Sequence, residues 1–450
     1  MTFVTSQLSE KPATGPAESV DDAQPHPWSN VTKTSFRFCF IYFGLFCLLF
    51  AQITFAFLGI LGQVLPESAV MWQMTVLGPV LGWVGRHVFG VEAVLHMDSG
   101  SGDQAAIWVM VFCLLVVAVI GTAVWSLVDR TRRDYSRLWA WFLTFVRLCV
   151  AGQMLFYGFA KLIPTQMPSP PLTALLQPYG NFSPASVLWL QVGTSQPYEM
   201  ALGAAEVLAG LLLFLPRTAT LGALVGLVSM AQVFLLNMTF DVPVKILSGH
   251  LLLMSLVLLA PQLRQLTNLF VLQRASEPVS QPELFGTERA NRRAAAAQAL
   301  LGIWVAIGCV WTGWQAWNQY GGGSAKPELY GIWAVHEFSV DGKPLPPLTT
   351  DQTRWQRVIF DKPGAMTYQR MSGDLVDTTA DVTADTIRAS EPGGAALAEL
   401  TVSRPTRQQL HLAGTLRGRP VAMTLDQVDE NGFTLRNRGF HWVQDYPFFR

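Results

Sequence analysis

Runs of about twenty apolar residues constrain this chain more than any other feature, because a helix rises about 1.5 Å per residue and a hydrocarbon core is roughly 30 Å thick. Membrane spans are predicted over residues 36–62, 104–128, 138–164, 199–216, 218–240, 246–262 and 297–317. Only 14% of the 450 residues are charged, well under the roughly 25% of soluble proteins. Lys plus Arg equals Asp plus Glu at 31 each, so no charge excess points to nucleic acid or an acidic partner.

Orientation follows from the basic loops. Lys33 and Arg37 precede the first span, and Arg130, Arg132, Arg133 and Arg137 join the second to the third. Arg217 separates the fourth from the fifth, and Arg264, Arg274, Arg289, Arg292 and Arg293 lie before the seventh. All fall on one side, which the positive-inside rule makes cytoplasmic in a bacterial inner membrane. Trp139, Trp141, Trp311, Trp314 and Trp317 cluster near span ends as interfacial belts do. The expected units are a disordered cytoplasmic tail over 1–35, without a cleavable signal, and an N-terminal span pair over 36–137. A four-helix membrane unit over 138–265, a cytoplasmic linker over 266–296, a seventh span over 297–317 and an extracytoplasmic β domain over 318–450 follow. Residues 68–85 read as a re-entrant or surface helix broken by Pro79 rather than a crossing, with Asp103 beyond it as the N-cap of the second span.

The C-terminal region changes character. Strands are predicted at Tyr330–Val340, Trp355–Phe360, Gln408–Leu416, Pro420–Leu425 and Phe433–Arg436, split by the turns DGKP, SGD, LRGR and DENG. An antiparallel meander of about eight strands, a small sandwich or barrel, is the expected fold. It contains no nucleophile with a base, no metal-ligand spacing and no phosphate loop, which favours binding or scaffolding over catalysis.

Ionisable groups inside spans are costly and therefore informative. The third span carries Arg147, Tyr157 and Lys161 near one helical face, the fourth Glu206, and the fifth Gln232 and Asn237. Asp241-Val242-Pro243-Val244-Lys245 makes a tight external turn, and His250 enters the sixth span. Helix rise places Lys161, Tyr157, Glu206, Asn237 and His250 within about 10 Å of the outer end and Arg147 deeper, so Glu206 is expected to pair with Lys161 or Arg147, depth favouring Lys161. A ligand pocket and a structural ion pair, with Gly222 and Gly226 as a packing seam, both fit these residues. The proline-rich loop over 165–198 fits a lid or a packed connection equally.

His87, Glu92, His96, Asp98 and Asp103 match no known metal spacing. Cys39, Cys47, Cys113, Cys149 and Cys309 all lie in apolar runs without a CxxC pair, which argues against a disulfide or cysteine–metal role.

On Arg147, Tyr157-Gly158 with Lys161, Ala205-Glu206 with Gly210, and Arg217, residues 139–265 resemble the DoxX family of membrane proteins. The resemblance implies a four-helix membrane unit, tied in some relatives to quinone or thiol redox systems and in others to accessory roles. Gly331-Ile332-Trp333 with Arg436 and Arg438 resembles the lipocalin arrangement of an arginine over an opening tryptophan, and a tryptophan plugging an ordinary β core fits the same residues. Three functions stay open: an accessory protein of a membrane redox system with a quinone-like headgroup in the polar pocket, a lipid or small-amphiphile carrier, and an anchor displaying the β domain to an envelope partner.

Overall fold

The computed structural model describes residues 28–449, so most of the expected tail and Arg450 lie outside the described residues. Among the described residues seven helices are long and apolar enough to cross a membrane: Asn30–Leu49 (α1), Ala105–Val128 (α4), Ser136–Leu162 (α5), Gln196–Phe214 (α7), the Pro216–Thr239 segment that contains α8 (Ala219–Thr239), Lys245–Phe270, whose first part is α9 (Lys245–Leu259), and Glu288–Gln319 (α10). The protein is thus a multi-pass helical membrane protein with a β-barrel at its C-terminal end. Shorter helices are α2 (Ala51–Leu58), α3 (Trp72–Val84) and α6 (Pro184–Gly193).

Several expected boundaries move. The first helix begins at Asn30, where the Ser29 side chain accepts from the Thr32 amide at 3.1 Å, so residues 30–35 belong to a helix rather than a tail. It is also not continuous to residue 62. Phe50 is extended, with φ −80° and ψ 101°, although neither proline nor glycine stands there. Two fully buried glutamines repair this break: Gln73 donates to the Leu48 carbonyl at 3.5 Å and to Thr54 at 2.8 Å, and Gln153 donates to the Gln52 carbonyl at 2.9 Å. Irregular backbone inside a membrane helix needs such internal partners, since lipid supplies none. The seventh helix starts at Glu288, inside the expected linker, and runs 32 residues. Asp103 does not cap α4, whose N-terminus has no side-chain cap. Its carboxylate instead accepts the amides of Lys245 and Ile246 at 2.8 and 2.9 Å, capping α9 from across the bundle.

Helices α5, α7, α8 and α9 pack in a closed ring, α5 on α7, α7 on α8, α8 on α9 and α9 back on α5. Small residues set the approach. A Cβ at Gly203 would fall 2.6 Å from the Gly158 carbonyl, and one at Gly158 would fall 2.7 Å from the Val207 amide, so α5 and α7 meet backbone to backbone. Gly222 plays the same part between α8 and α7, where a Cβ would lie 2.8 Å from the Leu213 amide. Gly226 faces Ser255 and Met154 across an ordinary contact.

The barrel strands are β1 (Gly331–Val340), β2 (Lys343–Pro344), β3 (Trp355–Phe360), β4 (Ala365–Arg370), β5 (Leu375–Val382), β6 (Thr386–Ser390), β7 (Ala396–Thr406), β8 (Gln409–Leu416) and β9 (Arg419–Gln427). Neighbours pair antiparallel in chain order, with β2 appended to β1, and β9 returns to pair with β1, closing an eight-stranded up-and-down barrel. Its inward side chains, including Trp333, Phe338, Phe360, Tyr368, Leu400 and Met423, form one packed core. The strand expected at Phe433–Arg436 is absent; a 3₁₀ turn at Glu430–Gly432 and a helical turn at Thr434–Asn437 stand there instead.

Alternation fails in several strands, β4 among them, and in β1 and β3 it fails where the barrel meets the membrane domain. Gly331, Ile332 and Trp333 are buried in succession, as are Val358, Ile359 and Phe360. The extra residues, Ile332 and Ile359, face outward and are covered by Leu172 from the loop between α5 and α6. The Leu172 amide donates to Asp361 at 3.2 Å, and Arg436 donates to the Pro170 carbonyl at 2.9 Å. Burial pushes the Asp361 carboxyl up from its ordinary value, against the Leu172 amide and the charges of Lys362, Arg436 and Lys326. The barrel therefore sits with its outer wall on the membrane domain's long loop.

Candidate functional site

Lys161, in the last turn of α5, and Glu206, midway along α7, form an ion pair at 2.8 Å with both side chains buried. Their helices are held at contact distance by Gly158 and Gly203, so little of either side chain is exposed. The Lys161 ammonium also lies 5.6 Å from the Tyr157 ring centroid. The Tyr157 hydroxyl accepts from Gln52 at 2.6 Å, which leaves its own proton free to donate.

These three residues form one wall of a cleft that is partly open to the outside. Asn237 and Ser248 stand on the opposite wall, where the Asn237 amide donates to the Ser248 hydroxyl at 3.0 Å and to the Val244 carbonyl at 3.3 Å. The rest of the lining is mostly apolar, including Leu188, Val192, Met230, Leu236 and Leu251. An apolar hollow with a few convergent polar groups is the usual form of a small-molecule site.

The loop after α5 closes the cleft. Trp189 on α6 lines it and donates from Nε1 to the Gln166 carbonyl at 3.0 Å, tying the lid to itself. Glu199 at the start of α7 is fully buried and accepts the Met167 amide at 2.9 Å, tying the lid to the bundle. Sequence reasoning missed Glu199. Its position one turn inside the helix start looks like an ordinary exposed N-terminal acid, and only the fold covers it.

Four expected members stand elsewhere. Arg147 donates to the Leu213 carbonyl at 2.6 Å and to Gln298 on α10. It caps the C-terminal turn of α7 and ties in the seventh span, a structural role at the opposite end of the bundle from the cleft. Lys245 pairs with Asp241 at 2.9 Å and with Asp103 at 3.8 Å on the turn between α8 and α9, outside the cleft lining. His250 faces α1: its Nδ1 meets the Ile246 carbonyl at 2.7 Å, its Nε2 meets the Tyr42 hydroxyl at 2.8 Å, and its ring stacks on Phe46 at 3.9 Å. Because a carbonyl can only accept, Nδ1 carries a proton, and neutral Nε2 accepts from Tyr42.

In the barrel, Trp333 is wholly buried and donates from Nε1 to the Leu329 carbonyl at 2.8 Å. The guanidinium over its ring belongs to Arg404, at 5.8 Å, not to Arg436 or Arg438. Arg436 is spent on the lid and Arg438 lies 4.3 Å from the Phe448 ring. Of the outer polar group, His87 meets the Trp83 carbonyl at 2.8 Å and the His96 amide donates to Gln104 at 2.7 Å. Among the described residues no three His, Cys, Asp or Glu side chains gather as a metal site.

The chain is similar to a protein of Bacillus subtilis (strain 168), "Uncharacterized protein YwoB", at 33% identity over 133 residues, which is 28% of this chain and 79% of that protein. No protein-family model matches the chain, and no solved structure matches it.

Proposed function

We propose that this chain, which belongs to the same family as YwoB, is a DoxX-like accessory protein of a bacterial inner-membrane redox system that holds a quinone-like amphiphile in the cleft under the lid. The observation that carries this reading is the Lys161–Glu206 pair, with the free Tyr157 proton beside it, on the wall of an otherwise apolar hollow. Lys161 keeps two further N–H donors after pairing, and with Tyr157 these suit the carbonyl oxygens of a quinone-like headgroup. The apolar side chains of α8 and α9 suit a hydrocarbon tail. The role is binding rather than catalysis, since the cleft offers no activated nucleophile and base.

Lipid extraction followed by mass spectrometry of protein purified in mild detergent tests the ligand. One quinone-class compound per chain is expected from wild type, and none from the double variant Lys161→Met, Glu206→Gln. A single phospholipid class in its place would favour the lipid-carrier reading, and no retained compound at all would leave the anchor reading. Against delivery into the barrel stands the barrel's core, which its own side chains fill.

The one-sided basic loops support a cytoplasmic N-terminus and an extracytoplasmic barrel, available to an envelope partner. A reporter inserted near Glu283 should therefore be active only in the cytoplasm and one fused after the barrel only outside it. The reverse pattern would overturn the orientation.

A further inference from the structure

The chain enters and leaves the barrel at the end that faces the membrane domain. From the end of α10 at Gln319 it runs to β1 at Gly331, which pairs with Phe360 at the end of β3, and Gln427 at the end of β9 pairs with Trp333. Leu172 of the lid loop covers this end, packed on Ile332 and Ile359 with Tyr330, Val428 and Phe433 beside them. Arg436 then reaches the Pro170 carbonyl. The segment beyond Arg436 therefore starts at the seam between barrel and membrane domain.

From residue 439 to residue 449 that segment reads GFHWVQDYPFF, with one acid, Asp445, among its aromatic side chains. Phe440, Trp442, Val443, Tyr446 and Phe449 are between 78% and 91% exposed, and none of them belongs to the barrel core or the bundle core. Arg438 shapes the loop from within: its guanidinium donates to Gln444 at 3.2 Å and lies over the Phe448 ring. Phe440 and Trp442 meet edge to face, their centroids 4.9 Å apart. So dense a group of exposed aromatic rings marks a contact surface for lipid or protein.

We propose that residues 439–449 form an interfacial anchor, which lies in the headgroup boundary of the bilayer that the bundle spans and pins the barrel to it. Trp442 and Tyr446 suit that boundary, because their rings are apolar while the indole N–H and the phenol O–H find partners among headgroups and water. Phe440 and Phe449 gain by leaving water for the acyl edge. The position of the segment selects lipid over a second protein. A chain tethered to a spanning helix meets its own bilayer at high effective concentration, whereas a free partner must first offset the freedom lost on association. Arg438 already holds the loop in shape, so insertion requires little further ordering. The anchor adds a lipid contact to the bonds that Asp361 and Arg436 make with the lid loop.

The full-length protein, labelled with fluorotryptophan and placed in nanodiscs of phosphatidylcholine and phosphatidylglycerol, tests the anchor by fluorine NMR. The Trp442 resonance is the one lost in Trp442→Phe. Phosphatidylcholine carrying a headgroup nitroxide should broaden it, and a water-soluble gadolinium chelate should leave it sharp. Broadening by the chelate alone would put the ring in water and overturn the proposal. Protection from both agents would put it against protein, a second copy or another partner, and overturn it equally. The pair Trp442→Ser, Phe449→Ser should also speed hydrogen exchange several-fold in the peptide that carries Leu172, and unchanged exchange there would refute the pinning of the barrel. Both side chains lie outside the packed cores, so these variants should fold. Should they fail to, the wild type still decides: a diazirine phospholipid must label the peptide from Gly439 onward, and an unlabelled peptide would sink the anchor.

Discussion

Replacing Glu206 by Gln should lower the protein's stability by about 3–5 kcal/mol, the cost of stranding one member of a buried ion pair. Lys161 and Glu206 meet at 2.8 Å with both side chains buried, so removing one partner leaves a buried charge. Lys161→Met should cost about as much for the same reason. The double change Lys161→Met, Glu206→Gln should recover most of the loss, because it leaves no charge behind. Thermal unfolding of the four proteins in one detergent measures the cycle. A Glu206→Gln protein as stable as wild type would mean that the carboxylate is solvated in the native state, and the cleft reading would fall with it. Stability recovered without recovery of bound amphiphile would separate the pair's work on a headgroup from its work on the fold.

Trp333→Ala should destabilise the barrel by about 3–5 kcal/mol, the range for deleting a large buried aromatic. The indole is fully enclosed, and its loss would also leave the Leu329 carbonyl without the donor it has at 2.8 Å. The effect should appear in the barrel's unfolding transition alone, with the helical signal unchanged, because Trp333 touches the barrel core and not the bundle. A wild-type transition in Trp333→Ala would show that the ring is peripheral to the barrel's stability.

The seven long helices were legible because the need to cover backbone groups in lipid leaves a period and a length that little else produces. Even the Lys161–Glu206 partnership followed from helix rise. The failures share one cause, which is that covering by a distant segment leaves no local mark. Nothing around Phe50 announces a break whose carbonyls are satisfied by Gln73 and Gln153, far along the chain. Arg147 and Lys161 share a helical face, yet α7 runs antiparallel to α5 and so offers its carboxylate to one and its C-terminal carbonyls to the other. Phe433–Arg436 has the alternation of a strand, but β1 and β9 already pair with each other and complete the ring without it. Ile332 and Ile359 read as exposed positions of alternating strands until Leu172 is set over them.

The pairing of β1 with β9 orders events during synthesis. The first strand of the ring must wait for the last, so the barrel cannot close until Gln427 has been made, and long-range closure of this kind is slow. The lid that the barrel covers is far older: Leu172 precedes its partner Asp361 by 189 residues. Throughout that interval the bundle has its helices but not its outer latch. For an amphiphile held as proposed, the widest doorway would stand in the unfinished chain, and its release from the finished protein would be only as fast as the loop can work loose beneath a completed barrel.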